Sequence, residues 1–302
     1  MTDIKLFELN GGDAKEIPGS AMALEKSLQQ QIEGNLETML GIRLLGSEYV
    51  IGPKYGGRID TLGIDEDASP VIIEYKRATN ENVINQGLFY LDWLLDHQAE
   101  FKLLVIKKLG AEEAETIDWT APRLLCIAGG FTRYDEHAVQ QMDRNIELIG
   151  YRRFGAGLLM LELVNAAFAK QGAPTDGKTA SPSDYKTISK KLATAGADLQ
   201  DVYQALRDHL LALGDDVQEK TLKRYVAFKR LKNFACVVVR PKQGVVLVYL
   251  KVDPKSIEHK PGFSRDVSNI GHLGRGDLEL TLRTIKDLER AKPLVQASYE
   301  VG

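Results

Sequence analysis

Cysteine and long apolar runs are the features this sequence has least of. Only Cys126 and Cys236 occur among 302 residues, and each lies inside a strand-like apolar run. So few thiols exclude a disulfide framework, and we expect both to be free and buried in a reducing, cytoplasmic compartment. No apolar stretch approaches the ~18 residues that cross a bilayer. The N-terminus also lacks a signal-peptide pattern, so we expect no membrane partner.

The net charge is small, at −3, which excludes a uniformly basic protein. Any affinity for nucleic acid must therefore come from a local basic surface. The hydrophobic fraction of 44% and the charged fraction of 27% are ordinary for a globular chain and exclude a disordered or fibrous one. The length is sufficient for two domains with their own cores.

A segment without periodicity divides the chain. Residues 172–184 read GAPTDGKTASPSD, a composition typical of a linker. We predict a first domain over residues 1–167, a linker over 168–184 and a second domain over 185–302.

Helical and strand-like patterns alternate in the first domain. Leucine and isoleucine recur at every fourth residue within 21–40, which indicates a helix. A second helix is predicted over 80–97, with Asn80 as its cap. The apolar runs at 101–106 and 123–128 are typical of strands covered on both faces. We expect an α/β domain with a central mixed sheet flanked by helices.

The second domain begins helical and then becomes rich in strands. We predict two helices, over 185–193 and 199–213, followed by four strands, over 221–228, 234–240, 245–252 and 278–282. A terminal helix is predicted from 285 onward, and Pro293 should kink or end it. We expect an α+β domain with an antiparallel sheet.

Residues 58–77, RIDTLGIDEDASPVIIEYKR, carry the chemistry. Side chains alternate along a strand, so Glu74 and Lys76 share a face, and a five-residue connection would set Asp60 opposite Glu74. Facing carboxylates repel each other unless a divalent cation neutralises them, and oxygen ligands suit Mg²⁺ or Mn²⁺. A nearby lysine can stabilise charge on a phosphoryl group. The alternative is a surface hairpin with solvated charges.

Three further polar residues could reach the same pocket. Glu25 lies at the start of the first predicted helix. Gln86 and Tyr90 are four apart on the second helix and hence share a face. The alternative for Gln86 and Tyr90 is ordinary helix packing and capping.

The run from about Leu24 to Val164 resembles the PD-(D/E)XK nuclease superfamily, and within it the catalytic domain of NucS-type endonucleases. The matching positions are Glu25 with Leu28, Gly57-Arg58-Ile59-Asp60, Ile73-Glu74-Tyr75-Lys76, and Gln86 followed by Tyr90.

This resemblance implies a restriction-endonuclease-like fold and hydrolysis of DNA phosphodiesters. By the same resemblance Glu25, Asp60 and Glu74 would hold Mg²⁺ or Mn²⁺, Lys76 would be the catalytic lysine, and Gln86 and Tyr90 would complete the pocket.

Two departures from the family pattern matter. NucS-type enzymes have a separate N-terminal domain for DNA binding and dimerisation, whereas about twenty residues precede Glu25 here, so their preference for mismatched or branched DNA is not carried over. Glu33, two turns further along the helix, could also replace Glu25 as the helical carboxylate.

Residues 220–242 contain eight Lys or Arg and no Asp or Glu, with aromatic residues interspersed. Such a segment suits phosphate binding and base stacking. The alternative is a solvated basic face with its aromatics in the core. The predicted nucleic-acid contacts are Arg58 and Arg77 in the first domain and Lys223, Arg224, Lys229 and Arg230 in the second.

The second domain resembles a small uncharacterised domain found attached to nuclease-like modules, a likeness that implies no chemistry. The leading hypothesis is a Mg²⁺-dependent DNA endonuclease in repair or defence. The alternatives are a catalytically silent nucleic-acid-binding or regulatory module and a protein that binds another protein or a small ligand. The sequence leaves DNA versus RNA, and a monomer versus a homodimer, open.

Overall fold

The computed structural model describes residues 4–52, 56–77, 82–167, 188–222 and 224–302. The chain divides into two compact units, Met1–Ala173 and Pro174–Gly302. The predicted linker over 168–184 and the predicted cap Asn80 lie outside the described residues. None of the helices in the described ranges is both long and apolar enough to cross a bilayer.

A mixed sheet forms the centre of the N-terminal unit. Its strands follow the spatial order β3-β8-β7-β6-β5-β4, and β9 pairs with β8. The neighbours β6, β7 and β8 are parallel, whereas β4, β5 and β6 form an antiparallel meander. A separate hairpin of β1 and β2 precedes the sheet. The strands are β1 (Leu6–Asn10), β2 (Asp13–Ile17), β3 (Gly19–Ser20), β4 (Ile42–Val50), β5 (Arg58–Asp65), β6 (Pro70–Lys76), β7 (Arg123–Ala128), β8 (Asn145–Phe154) and β9 (Leu158–Ala167).

Helices flank this sheet, and the predicted mixed architecture is confirmed. They are α1 (Glu25–Glu33), α2 (Leu36–Leu40), α3 (Asn82–Asp96), α4 (Gln98–Leu109), α5 (Ala111–Ala114) and α6 (Arg133–Gln140). Helix α3 packs against β6 and β7. A Cβ on Gly87 would lie 2.4 Å from Leu124 Cδ1, so a glycine is needed where α3 meets the sheet.

Two predicted elements of this unit were wrong in detail. Residues 101–106 form part of α4 rather than a strand. A short apolar run has no periodicity that separates a strand from a helix, and here only Phe101 and Val105, four residues apart, are buried. Leu103 is 66% exposed. The single helix predicted over 21–40 is two helices, α1 and α2, separated at Gly34 and Asn35.

The C-terminal unit contains an antiparallel sheet, as predicted. Its spatial order is β10-β11-β12-β13-β15-β14. The elements are α7 (Ile188–Ala193), α8 (Ala197–Leu211), β10 (Gln218–Thr221), β11 (Val226–Lys229), β12 (Asn233–Arg240), β13 (Val245–Leu250), β14 (Ser264–Asp266), β15 (Leu278–Leu282) and α9 (Ile285–Val301). The strand predicted over 221–228 is instead two strands, β10 and β11, which form a hairpin.

Helices α8 and α9 cover one face of that sheet. Their buried side chains, among them Leu206 and Leu288, pack against Val237, Val248 and Leu280. Each fully buried aliphatic side chain contributes roughly 1.5–3 kcal/mol. Pro293 lies inside α9 and does not end it.

Candidate active site

Two carboxylates lie side by side at the end of the β5–β6 ladder. The antiparallel register pairs Thr61 with Ile73, which brings Asp60 next to Glu74. The Asp60 N–H donates to Glu74 Oε1 over 3.2 Å, and the Tyr75 N–H donates to Asp60 Oδ2 over 3.1 Å. Each carboxylate is therefore oriented by the backbone of the other strand.

The Glu74 carboxylate is fully buried, with 0% of the residue exposed. Its second oxygen, Oε2, has no hydrogen-bond partner among the described residues. Burial, with the neighbouring Asp60 carboxylate, raises the pKa of Glu74 to about 8. Burial also raises the pKa of Asp60. A hairpin with solvated charges does not fit these observations, because ionised carboxylates that are buried without a cation are costly.

Lys76 supplies the positive charge nearest to this pair. Its side chain is 18% exposed and its Nζ lies 3.4 Å from Glu25 Oε1. Glu25 is the first residue of α1, and its Oε2 accepts a hydrogen bond of 3.1 Å from the Arg77 N–H. Lys76 lowers and Glu25 raises the pKa of both Asp60 and Glu74. All four ionisable side chains therefore interact electrostatically.

Gln86 and Tyr90 meet each other beside the first residue of β5. The Gln86 Nε2 donates to Tyr90 Oη over 3.2 Å, and the Arg58 N–H donates to the same oxygen over 3.2 Å. Tyr90 is buried. Gly57 has a φ of 153° and a Cβ there would lie 2.9 Å from the tyrosine ring, so a side chain at this position would displace Tyr90.

The two arginines predicted to contact nucleic acid in this unit are exposed. Arg58 forms an ion pair with Glu48, and the Arg77 backbone holds Glu25 and Tyr151. Their guanidinium groups are thus on the surface near the carboxylates.

Glu33, the alternative to Glu25, is engaged elsewhere. It accepts hydrogen bonds from Thr61 Oγ1, Gln29 Nε2 and Ser47 Oγ. Thr61 lies between Asp60 and Leu62 along β5, so it points to the opposite face from Asp60. Of the two helical carboxylates, Glu25 is the one next to Lys76.

A divalent cation fits the donors at the hairpin. In the part of the chain that the structure describes, no three Asp, Glu, His or Cys side chains form a ready-made metal site. The neighbouring carboxylates of Asp60 and Glu74 nevertheless suit a hard cation, and the buried Glu74 Oε2 has no hydrogen-bond partner among the residues that the structure describes. Glu25 is held by Lys76 and the Arg77 backbone rather than by this pair.

Sequence reasoning missed the surroundings of Arg58. Glu48 accepts a hydrogen bond of 2.6 Å from Lys26 Nζ and pairs with Arg58. The Lys26 hydrogen bond is the main reason that the pKa of Glu48 is lowered. Glu48 also has a φ of 52°, a strained conformation for a residue with a side chain. No sequence pattern marked this position, because a strand pattern carries no sign of a positive φ.

The predicted basic residues of the C-terminal unit have different surroundings. Lys229 is 3% exposed, so its prediction as a surface contact for nucleic acid was wrong; the strand pattern did not show which face of β11 is covered. Arg230 pairs with Asp216 over 2.7 Å and lies 4.8 Å above the Tyr299 ring. Arg224 is exposed, and Lys223 lies outside the described residues.

The C-terminal unit is similar to a known family. Residues 187–302 match the family described as "Domain of unknown function (DUF5655)", which bears out the expectation of a small uncharacterised domain. An "Uncharacterized protein" of Haemophilus influenzae (strain ATCC 51907 / DSM 11121 / KW20 / Rd) is 28% identical over 306 residues, covering 98% of this chain and 100% of that protein. The similarity therefore spans both units.

Two solved structures resemble part of the chain. One is described as "Structure of EndoMS-dsDNA2 complex", with 18% identity and a TM-score of 0.27. The other is a "crystal structure of a repair endonuclease from Pyrococcus abyssi", with 19% identity and a TM-score of 0.28. In each case the match covers 43% of this chain, which spans about half, 47%, of the solved chain. At these TM-scores the likeness carries no argument about activity.

Proposed function

We propose that the N-terminal unit has the restriction-endonuclease-like fold and hydrolyses phosphodiester bonds in DNA with Mg²⁺ or Mn²⁺. The observation that carries this proposal is the Asp60–Glu74 pair, in which Glu74 is buried and its Oε2 lacks a partner among the described residues, with Lys76 and Glu25 beside it. A structure gains nothing in stability from a buried carboxylate next to a second one without a cation. Such a pair is typical of a site where function opposes stability.

Each residue has a role in this proposal. Asp60 and Glu74 would hold the cation, with Glu25 as a third carboxylate once it leaves Lys76. When bound, the cation would polarise the phosphate and lower the pKa of a water molecule. Lys76 would stabilise negative charge that develops on the phosphate. Gln86 and Tyr90 would fix the start of β5, and Arg58 and Arg77 would contact the DNA backbone on either side.

Cleavage of labelled DNA tests the proposal. The full chain is incubated with duplex, single-stranded, mismatched and flap DNA, with EDTA, Mg²⁺ or Mn²⁺. We expect metal-dependent cleavage that leaves a 5′-phosphate, and a loss of about 100-fold or more in Lys76→Ala and Glu74→Gln. Lys107→Ala, which removes an exposed lysine at the end of α4, is the matched control and should cleave normally. Equal cleavage by Lys76→Ala and the control would refute the assignment.

A second candidate function is DNA binding without hydrolysis. It is favoured by the contact between Lys76 and Glu25, which occupies both the ammonium group and the third carboxylate. Under this alternative the protein binds DNA with equal affinity in EDTA and Mg²⁺, and none of the four substrates is cut.

A further inference from the structure

One end of the C-terminal sheet gathers positive charge from four separate elements. Strand β11 begins where β12 ends, because Val226 pairs with Val237 in an antiparallel register. Arg224, in the turn before β11, and Arg240, the last residue of β12, therefore lie at the same end of the sheet. Lys242 follows in a short 3-10 turn. Helix α7, which carries Lys191, packs against β12.

These four side chains, here called the basic patch, have no anionic partner in the described ranges. Arg224, Arg240 and Lys242 are exposed and Lys191 is partly exposed. Burial lowers the pKa of Lys191, and the charges of Arg240 and Arg224 lower it further, so Lys191 is close enough to each arginine to be repelled by it. The carboxylate of Asp287, which follows β15 at the same end of the sheet, is occupied in capping α9. A cluster of cations without a counter-charge creates a positive potential that favours the binding of an external anion.

The opposite end of β11 provides a contrast within the same basic segment. There Arg230 is paired with Asp216 and covers the Tyr299 ring, and Lys229 is buried. The cations at that end are thus part of the folded structure. The cations of the segment therefore differ: Arg230 and Lys229 belong to the packed structure, whereas Arg224, Arg240 and Lys242 have no anionic partner among the described residues.

We propose that the basic patch of Lys191, Arg224, Arg240 and Lys242 binds the phosphate backbone of DNA. The choice of DNA as the polyanion rests on the proposed function; the patch itself does not. Three of the four cations are exposed and come from different elements, and the described residues of the patch include no buried polar side chain that would enclose a small anion. An extended polyanion suits such a surface because each phosphate contact adds its own electrostatic contribution.

Binding of the full chain to DNA measures the contribution of the patch. The probe is a fluorescein-labelled 30-base-pair duplex, titrated by fluorescence anisotropy in EDTA at several NaCl concentrations. The test variant carries Arg224→Ala, Arg240→Ala and Lys242→Ala. The control carries Lys255→Ala, Lys260→Ala and Lys286→Ala, three exposed lysines of the same unit, so both variants lose the same charge. Circular dichroism confirms that both are folded.

We expect the test variant to bind about 10- to 100-fold more weakly near 0.1 M salt. The slope of log K against log salt should become less steep by about 2–3, since each lost phosphate contact removes about 0.9. Arg224→Lys with Arg240→Lys should retain binding, because the charge is kept. Equal weakening in the control would show a general charge effect and overturn the proposal, and so would unchanged binding in the test variant.

The remaining outcomes separate this proposal from the nuclease assignment. DNA binding that depends on the patch, in a protein that never cleaves, supports the patch and refutes the assignment. If the wild-type protein cleaves DNA and the test variant binds DNA as tightly as wild type, the nuclease assignment is supported and the patch proposal is refuted. Vesicles of phosphatidylserine are the second probe: binding to them through the patch, with no binding to duplex, would also overturn the proposal.

Discussion

Strand β5 contributes to two acidic sites, each with a buried carboxylate, that differ in one respect. Near its start, Asp60 lies beside Glu74, whose Oε2 has no partner among the described residues. At its end, Asp65 accepts a hydrogen bond of 2.9 Å from Arg123, which also binds both oxygens of Glu147 over 2.8 Å. A buried carboxylate lies in both places, but only Asp65 and Glu147 form ion pairs with a buried arginine. Arg123 thus stabilises the fold, whereas the Asp60–Glu74 pair is the place where we propose that a cation binds.

Removal of Arg123 should have the largest effect on stability. Arg123→Leu leaves two buried carboxylates without their cation, and we expect a loss of about 3–5 kcal/mol in the free energy of unfolding. Trp93 and Trp119, the two tryptophans of the chain, both belong to the N-terminal unit, so tryptophan fluorescence in a urea titration reports this unit. Arg144→Ala breaks an exposed pair with Asp92 and should cost less than about 1 kcal/mol. Equal losses would remove the distinction between buried and surface pairs.

Substitution of Glu74 should act in the opposite direction. Glu74→Gln replaces a buried carboxyl group that must take up a proton on folding at pH 7, and we expect the metal-free protein to gain roughly 1–3 kcal/mol at that pH while it loses cleavage activity. The folded-state pKa of about 8 lies above the ordinary glutamate value of 4.5. The contribution of Glu74 to the stability of the wild-type protein is therefore complete below the unfolded pKa and is lost as the pH rises through 8. Glu74→Gln should lack this fall in stability with pH. Urea titrations from pH 5 to 8.5 measure the free energy of unfolding of both proteins; a variant less stable than wild type at pH 7 contradicts the prediction.

Addition of the cation should neutralise the Asp60–Glu74 pair, as Arg123 neutralises Asp65 and Glu147, and should stabilise the protein. If Asp60 and Glu74 hold Mg²⁺ or Mn²⁺, a concentration of 100 times Kd stabilises the wild-type protein by about 2.7 kcal/mol. The Glu74→Gln variant should gain much less. Thermal unfolding followed by tryptophan fluorescence, with EDTA, Mg²⁺ or Mn²⁺, compares them. An equal increase in both proteins would place the cation elsewhere.

The smallest effect is expected at Lys191 in the C-terminal unit. Its folded pKa is lowered by burial and by Arg240 and Arg224, so the protonated side chain opposes folding at neutral pH. Lys191→Gln should stabilise this unit by less than about 1 kcal/mol, because the side chain is partly exposed and screened. Hydrogen exchange of β12 and β13 should become slower. Faster exchange would mean that Lys191 has a stabilising contact.

The predicted architecture came from local patterns, and its errors have local causes. Alternation along β5 and β6 sufficed to bring Asp60 and Glu74 together, because a short turn fixes the register of a hairpin. The strand predicted over 101–106 is wrong because a short apolar run does not show that only one side of it is buried; which side of α4 is buried depends on tertiary packing. The buried position of Lys229, the left-handed Glu48 and the Arg123 cluster depend on contacts between distant segments, which no single window of sequence contains.

The antiparallel connection of β5 to β6 also has a consequence for the order of folding. Asp60 and Glu74 are 14 residues apart, whereas Asp65 and Arg123 are 58 apart and meet only after β7 has docked in parallel. Closing the shorter loop costs less entropy and is faster. We therefore expect the carboxylate pair to form in the nascent hairpin, before the arginine arrives to stabilise the sheet. A cation bound at Asp60 and Glu74 in that early hairpin would reduce the repulsion between the two carboxylates while the rest of the sheet forms.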